Sequence, residues 1–239
     1  MAGPSQWDEW HDGLEPDRVA DEPWYALVKA ALSKLKRSSR ILLEVGCGRG
    51  GFACWMAQQA NPPECIQAVD YSAAAIRKGR ALASALHVKG LQWTVGDIQD
   101  LPTRDETFDT VVSCETIEHV PSPGKAVKEL ARVLVPGGVL LLTTPNYLGP
   151  MGAYRAYCRV MGRPFTEVGQ PINKLTHLPR TLWWLRNAGL RAREVQGVGH
   201  YFPWPGAPAR HMARMDSVRA LKWFALHTLV VAEKPSRRQ

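Results

Sequence analysis

At 239 residues, with 45% hydrophobic and 22% charged side chains, the chain has the size and composition of one globular α/β domain with elaborations, not of two large ones. Its longest apolar runs, such as Val139–Leu142 and Thr228–Ala232, are strand-sized and fall far short of the roughly 20 residues of a membrane-spanning helix. The net charge of +8 is polarised: residues 1–23 hold seven acids against one arginine, whereas residues 147–239 hold fifteen Lys and Arg against four acids, a basic end suited to an anionic partner or to a solvated surface.

The first 22 residues are polar and acidic, carry Trp7 and Trp10, and read as an arm that docks on the body or stays mobile. Met1–Trp10 shows no basic start leading into an apolar core, so no signal peptide and a cytoplasmic location are expected. From Glu22 to Arg37 the apolar residues Trp24, Leu27, Val28, Ala31, Leu32 and Leu35 recur at helical spacing, with Pro23 in the first turn. A strict alternation follows: strand Ile41–Val45, glycine turn Gly46–Gly51, helix Phe52–Ala60, strand Cys65–Val69, helix Ser72–Leu86 capped by Ser72, and strand Leu91–Val95. Strand Thr107–Ser113, helix Pro123–Val135 and, after Pro136-Gly137-Gly138, strand Val139–Thr144 continue it. Such alternation implies a doubly wound, mainly parallel sheet with helices on both faces. Beyond Asn146 the pattern loosens into a helix at Gly149–Gly162, a helix at Pro179–Ala188, strand Leu190–Val198, an irregular insertion at His200–Val218 and a last strand Ala225–Glu233. The expected division is an arm and helix at 1–38, a ligand-binding core at 39–146, and a remainder at 147–239 that completes the sheet and carries substrate-lid insertions. Five scattered cysteines (Cys47, Cys54, Cys65, Cys114, Cys158) without paired spacing point to reduced thiols, and no metal site is expected.

The strongest motif is Glu44-Val45-Gly46-Cys47-Gly48-Arg49-Gly50-Gly51, a strand entering a glycine turn where ligand atoms can approach the backbone. Gly46, Gly48 and Gly51 also satisfy the dinucleotide spacing, with Asp70 about 20 residues on, so a nicotinamide or flavin enzyme has to be weighed. Against it, Glu44 puts a carboxylate where a dinucleotide offers phosphates, and a cationic ligand suits that position better. Asp70 and Tyr71 follow the second strand, placing an acid for ribose hydroxyls. Gly96-Asp97-Ile98 follows the third, where an acid beside an apolar residue can hold an adenine amino group and its ring. The fourth strand continues into Cys114-Glu115-Thr116-Ile117-Glu118-His119-Val120.

Taken together, Glu44–Gly50, Asp70, Gly96-Asp97, Ile117–Val120 and Leu134–Gly138 make the chain resemble the class I S-adenosylmethionine-dependent methyltransferases, and most the ubiquinone- and menaquinone-type branch. The resemblance runs from Ile41 to Asn146 and implies a seven-stranded sheet with an antiparallel final strand, supplied by Ala225–Glu233. It implies S-adenosylmethionine as cofactor, S-adenosylhomocysteine as product, and a cofactor set of Glu44, Gly46, Cys47, Gly48, Gly50, Asp70, Tyr71, Asp97, Ile98 and Glu115. The expected acceptor is a small molecule methylated at oxygen: a quinone, polyketide, sugar or lipid-linked metabolite. The N/D-P-P-Y motif of amino-group methyltransferases is replaced here by Cys114-Glu115-Thr116, and no nucleic-acid module is visible, so nucleic acid is an unfavoured partner. An RNA methyltransferase, prompted by the basic end, and a non-catalytic cofactor-binding regulator are the alternatives. Histidine being the default base near neutral pH, His119, His177 and His200 are the candidates. Substrate and lid contacts are expected from residues 1–25, 146–178 and 199–222, through Trp10, Trp24, Tyr25, Tyr147, Tyr201 and Trp204. Trp183-Trp184, between Arg180 and Arg186, suit peripheral contact with a membrane or lipid-linked substrate as well as ordinary packing.

Overall fold

The computed structural model describes residues 3–15, 22–35, 40–165, 170–204 and 207–236, leaving aside the side chains at 23, 202–204, 207–211, 213 and 219. Helices α1 (Pro4–Asp12) and α2 (Pro23–Ser33) precede β1 (Ile41–Val45), α3 (Gly51–Ala57), β2 (Cys65–Asp70), α4 (Ala73–Ala85), β3 (Leu91–Val95) and β4 (Phe108–Cys114). A 3-10 turn at Ile117–His119 leads into α5 (Pro123–Val133) and β5 (Leu134–Pro145). Then come α6 (Pro150–Val160), α7 (Leu178–Asn187), β6 (Arg191–Val198), β7 (Tyr201–Trp204), β8 (Ala207–His211), α8 (Ala213–Asp216), a 3-10 segment Arg219–Phe224 and β9 (His227–Glu233).

Seven strands form one sheet in the order β3-β2-β1-β4-β5-β9-β6. The first five are parallel neighbours, and β9 runs antiparallel to both β5 and β6. This is the seven-stranded arrangement expected from the resemblance. Its central strands β1, β4, β5 and β9 are mostly apolar because both faces are covered there, whereas the edge strands β3 and β6 carry exposed polar residues. Side-chain alternation sorts them: Leu43, Val111, Leu140, Leu142 and Val230 pack with α5 and α7 through Val127, Leu130, Leu178 and Leu185. Leu42, Val112, Leu141 and Leu229 pack on the other face with Val28 of α2 and with Phe52, Ala53 and Met56 of α3. Ser72 caps α4 as expected, its hydroxyl accepting from the Ala75 N–H at 3.1 Å. Among the described residues, no helix is long and apolar enough to cross a membrane.

Of the two readings of the acidic arm, the docked one describes the structure: its first half forms α1, which lies on α4. Two segments depart from the sequence reading. Strand β5 starts at Leu134 rather than Val139: Leu134 pairs with Phe108, and Gly137, at φ 81°, carries the chain through an irregular register to Val139. The insertion after β6 contains the β7–β8 hairpin, and it hangs from the outermost strand of the sheet.

Candidate active site

The sheet order reverses between β1 and β4, and the crevice at the carboxyl ends of those strands is where open α/β sheets bind ligands. The turn after β1 forms one wall. Gly46 (φ 74°) lies so close to the β4 loop that a Cβ would sit 2.2 Å from Thr116 Oγ1. Gly48 (φ 51°) faces space instead: a Cβ there would meet only His11 Cε1, at 3.9 Å.

Asp70 closes β2 beside this turn. Its Oδ2 accepts the Gly48 N–H at 2.8 Å and its Oδ1 the Ser72 N–H at 2.9 Å. Burial raises its pKa, and the nearby His11 imidazole and the backbone donors work against that rise. Farther along, Asp97 Oδ1 accepts the Gln99 N–H at 2.8 Å, and Ile98 is buried beside it.

The roof comes from the arm. Asp8 Oδ1 accepts from Ser72 Oγ at 2.6 Å and from the Ala74 N–H at 2.9 Å, and the Ala74 bond is the main reason its carboxyl pKa is lowered. Lys78 Nζ donates to the carbonyls of His11, Asp12 and Leu14 at 2.8, 3.1 and 2.7 Å, placing a cation at the α1 C-terminus, and Arg49 donates to the Glu15 carbonyl. So fixed, α1 lays Trp7, Trp10 and His11 over a cavity of about 550 Å³. The cavity floor is Gly46–Gly48, Asp70, Tyr71 and Asp97–Gln99, and its far wall is Trp24, Tyr25, Glu115, Thr116 and His119. That volume lies in the range of small-molecule sites, roughly 300–1,000 Å³.

A family model described as a methyltransferase domain matches residues 43–142. The chain is 30% identical over 232 residues to a ubiquinone biosynthesis O-methyltransferase of Xanthomonas euvesicatoria, covering 91% of this chain and 88% of that protein. The chain belongs to the class I S-adenosylmethionine-dependent methyltransferases. A phthiotriol/phenolphthiotriol dimycocerosates methyltransferase of Mycobacterium ulcerans is 33% identical over 156 residues, covering 64% of this chain and 55% of that one. Among solved structures, a chain of the Haloferax volcanii complex between the Trm112 methyltransferase activator and a methyltransferase superposes over all of both chains, with a TM-score of 0.68 at 20% identity.

The cofactor of this methyltransferase is therefore S-adenosylmethionine, and the cavity fits it. Gly48 leaves open a cradle that a larger residue would fill. The buried carboxylate of Asp70 stands at the floor, a second acid, Asp97, stands at one end, and buried Ile98 supplies an apolar surface beside it. Gly46, Cys47, Gly48, Asp70, Tyr71, Asp97, Ile98 and Glu115 of the expected cofactor set line the cavity; Glu44 and Gly50 do not. Glu44 is buried inside the sheet, in register with Ala68 and Val112. Gly50 is turned onto an indole, where a Cβ would sit 2.4 Å from Trp93 Cη2, so its glycine is required by packing.

Of the three candidate histidines only His119 reaches the cavity. Its Nδ1 donates to the Ile172 carbonyl at 2.7 Å, its Nε2 lies 3.5 Å from Glu118 Oε1, and burial lowers its pKa. His177 instead caps α7, its Nδ1 accepting the Arg180 N–H at 3.2 Å. His200 is buried between Asp216 Oδ1 at 2.7 Å and the Leu221 carbonyl at 2.9 Å, tying the post-β6 segment together.

The lid residues divide likewise. Trp10, Trp24 and Tyr25 line the cavity. Tyr147 is buried outside it, 6.1 Å from the Phe165 ring and under the Arg155 guanidinium. Tyr201 lies on the hairpin, and the Trp204 side chain is outside the described residues. No described residue of 199–222 lines the cavity, because that segment follows the edge strand β6, away from the crevice. On α7, Trp184 is buried in the core, leaving Trp183 exposed alone.

Two side chains at the site escape a reading of the sequence. His11 sits in the arm with no motif around it. His227 opens β9 ahead of the apolar Leu229–Ala232, and its Nδ1 donates to Glu115 Oε2 at 2.8 Å.

Proposed function

We propose that this methyltransferase acts on an oxygen of a small-molecule acceptor, of the quinone, polyketide, sugar or lipid-linked kind. The observation that carries the reading is the roof: α1 lays Trp7 and Trp10 over the crevice, leaving a chamber sized for a cofactor and a compact partner and lined by aromatic rings. The Xanthomonas relative, named as an O-methyltransferase, supports oxygen as the receiving atom.

When bound, S-adenosylmethionine supplies a methyl group already activated on a sulfonium. The chain's own task is then positioning and exclusion of water. Asp70 accepts ribose hydroxyls, Asp97 and Ile98 hold the adenine edge and face, and the Gly46–Gly48 backbone takes the amino-acid portion. Trp7, Trp10 and Leu14 shut out solvent above them, and Trp24 and Tyr25 bound the acceptor side.

The test is methyl transfer from radiolabelled S-adenosylmethionine to a panel of phenols, catechols, enols, anilines and bulk RNA. Label in the oxygen acceptors, with none in anilines or RNA, is expected. Label confined to RNA or to nitrogen acceptors overturns the reading.

A further inference from the structure

Helix α6 carries more apolar surface than the body covers. Tyr154, Tyr157, Cys158 and Met161 recur along it at three- and four-residue steps, yet only Cys158 is buried. Tyr154, Tyr157 and Met161 are exposed, and Val160 beside them is 84% exposed. The two tyrosine rings stack, with centroids 6.5 Å apart. Arginines edge this stripe: the Arg163 guanidinium lies 5.8 Å from the Tyr157 ring, that of Arg155 covers the Tyr147 and Phe165 rings, and Arg159 is exposed. From Tyr147 to Phe165 the sequence holds these three arginines and no acid. The start of α6 also meets a second exposed apolar pair, Trp223 and Phe224. Gly149, which caps the helix, is so close that a Cβ would sit 2.5 Å from the Phe224 carbonyl oxygen, and Asn146 Nδ2 donates to the Trp223 carbonyl at 2.7 Å. Lys222 Nζ lies 5.9 Å from the Trp223 ring. No residue of α6 lines the cavity, so the cofactor and acceptor sites do not account for this face. A short way along the chain, Gln170 and Ile172 do line it.

We propose that α6, together with Trp223 and Phe224, docks the protein on the surface of an anionic lipid bilayer. An apolar stripe edged by arginines and aromatic rings suits a helix lying in the headgroup layer. Its aliphatic residues enter the acyl boundary, its rings sit among the headgroups, and its guanidiniums face lipid phosphates. Two other occupants fit less well. A second copy would set the same arginines against each other, with no acid between Tyr147 and Phe165 to meet them. An RNA would engage the arginines and rings but leave Val160 and Met161 against phosphate or water. The segment after α6 leads to Gln170 and Ile172, so the docking face and the cavity are joined by a short stretch of chain. Lipid contact needs no methyl transfer, so this proposal and the oxygen-acceptor reading fail separately.

The test is co-sedimentation of the full chain with vesicles of phosphatidylcholine alone and of phosphatidylcholine and phosphatidylglycerol in equal parts. Wild type is compared with Val160→Asp and with the double variant Arg159→Gln/Arg163→Gln. The wild type should bind the mixed vesicles, hardly bind phosphatidylcholine, and be released as salt rises. Each cation near an anionic surface is worth about a factor of five, so the double variant should bind roughly 30-fold more weakly. Val160→Asp should lose roughly tenfold or more by placing a charge on the apolar stripe. Thermal midpoints and S-adenosylhomocysteine affinity should stay those of the wild type, since all three side chains are exposed and outside the cavity. Absence of binding to the mixed vesicles overturns the proposal, as does equal binding by the wild type and both variants. A wild type that is dimeric in ultracentrifugation where Val160→Asp is monomeric overturns it in favour of a second copy. Bulk RNA that displaces the vesicles, and that binds Val160→Asp normally but not the arginine variant, overturns it in favour of RNA.

Discussion

Replacing Lys78 with methionine keeps the apolar stem of the side chain and removes the ammonium that holds the end of α1. Three hydrogen bonds are lost at once, to the carbonyls of His11, Asp12 and Leu14, at 2.7–3.1 Å. Each is worth about 1 kcal/mol net, and the half-buried position lets water replace part of it, so docking of the arm weakens by about 2 kcal/mol in total. At about 1.4 kcal/mol per factor of ten, the undocked population rises roughly 30-fold. No α1 residue belongs to either apolar core cluster, so the thermal midpoint of the body should move by no more than a few degrees. The assay is chymotryptic cleavage after Trp7 and Trp10 at saturating S-adenosylhomocysteine, since proteolysis tracks the open population when opening is fast. A cleavage rate close to that of the wild type would refute the idea that Lys78 latches the roof. A rate that rises only together with a collapse of the thermal midpoint would refute it equally, because global unfolding would then explain the cleavage.

Asp70→Ala should weaken S-adenosylhomocysteine binding by about 1–3 kcal/mol in calorimetry, the cofactor's ribose losing a charged acceptor and the Gly48 turn its anchor; unchanged affinity would remove Asp70 from the site. The arm should also respond to pH. Burial lowers the pKa of His11 from its ordinary value of 6.5, so the undocked arm binds the proton better, and docking is fully present above 6.5 and is lost as pH falls below it. Asp8, held below its ordinary range by the Ala74 N–H, stays charged through that window. Chymotryptic protection of the arm should therefore decline on acidification in the wild type but not in His11→Gln, and parallel profiles in shared buffers would contradict this assignment. Finally, His200→Ala should cost roughly 1–3 kcal/mol in denaturant unfolding by removing the buried imidazole that bridges Asp216 and the Leu221 carbonyl, with kcat per folded molecule retained; a large loss of kcat would return His200 to the site.

Local rules carried the core of this protein. The stretches Leu42–Val45, apolar but for Glu44, Val111–Cys114, apolar but for Ser113, and Val139–Leu142 declare strands buried on both faces, and Ser72 declares the start of α4 before any contact is known. The glycine turn and the acids after β2 and β3 were legible because backbone geometry and strand ends are set within a few residues. Glu44 and Gly50 sit in the same motif, yet one is buried on a central strand off the cavity lining and the other is turned onto Trp93, which strand register and a distant indole decide. His177 and His200 illustrate the opposite limit: a histidine's type suggests a base, but its partners make one a helix cap and the other a structural tie. The pairing of Glu115 with His227 spans 112 positions. It exists because β9 inserts antiparallel between β5 and β6, which brings the head of the last strand level with the carboxyl ends of the parallel ones. The arm is similar, since its polar residues carry no period pointing to a docking face. Asp8 and Lys78 find each other's helices only once α4 stands beside the crevice. The sequence by itself thus determined the sheet, the glycine turn and the cofactor, whose signals are local and periodic. Tertiary structure alone decided which side chains line the cavity, because that depends on strand order and on charges meeting across the top of the sheet.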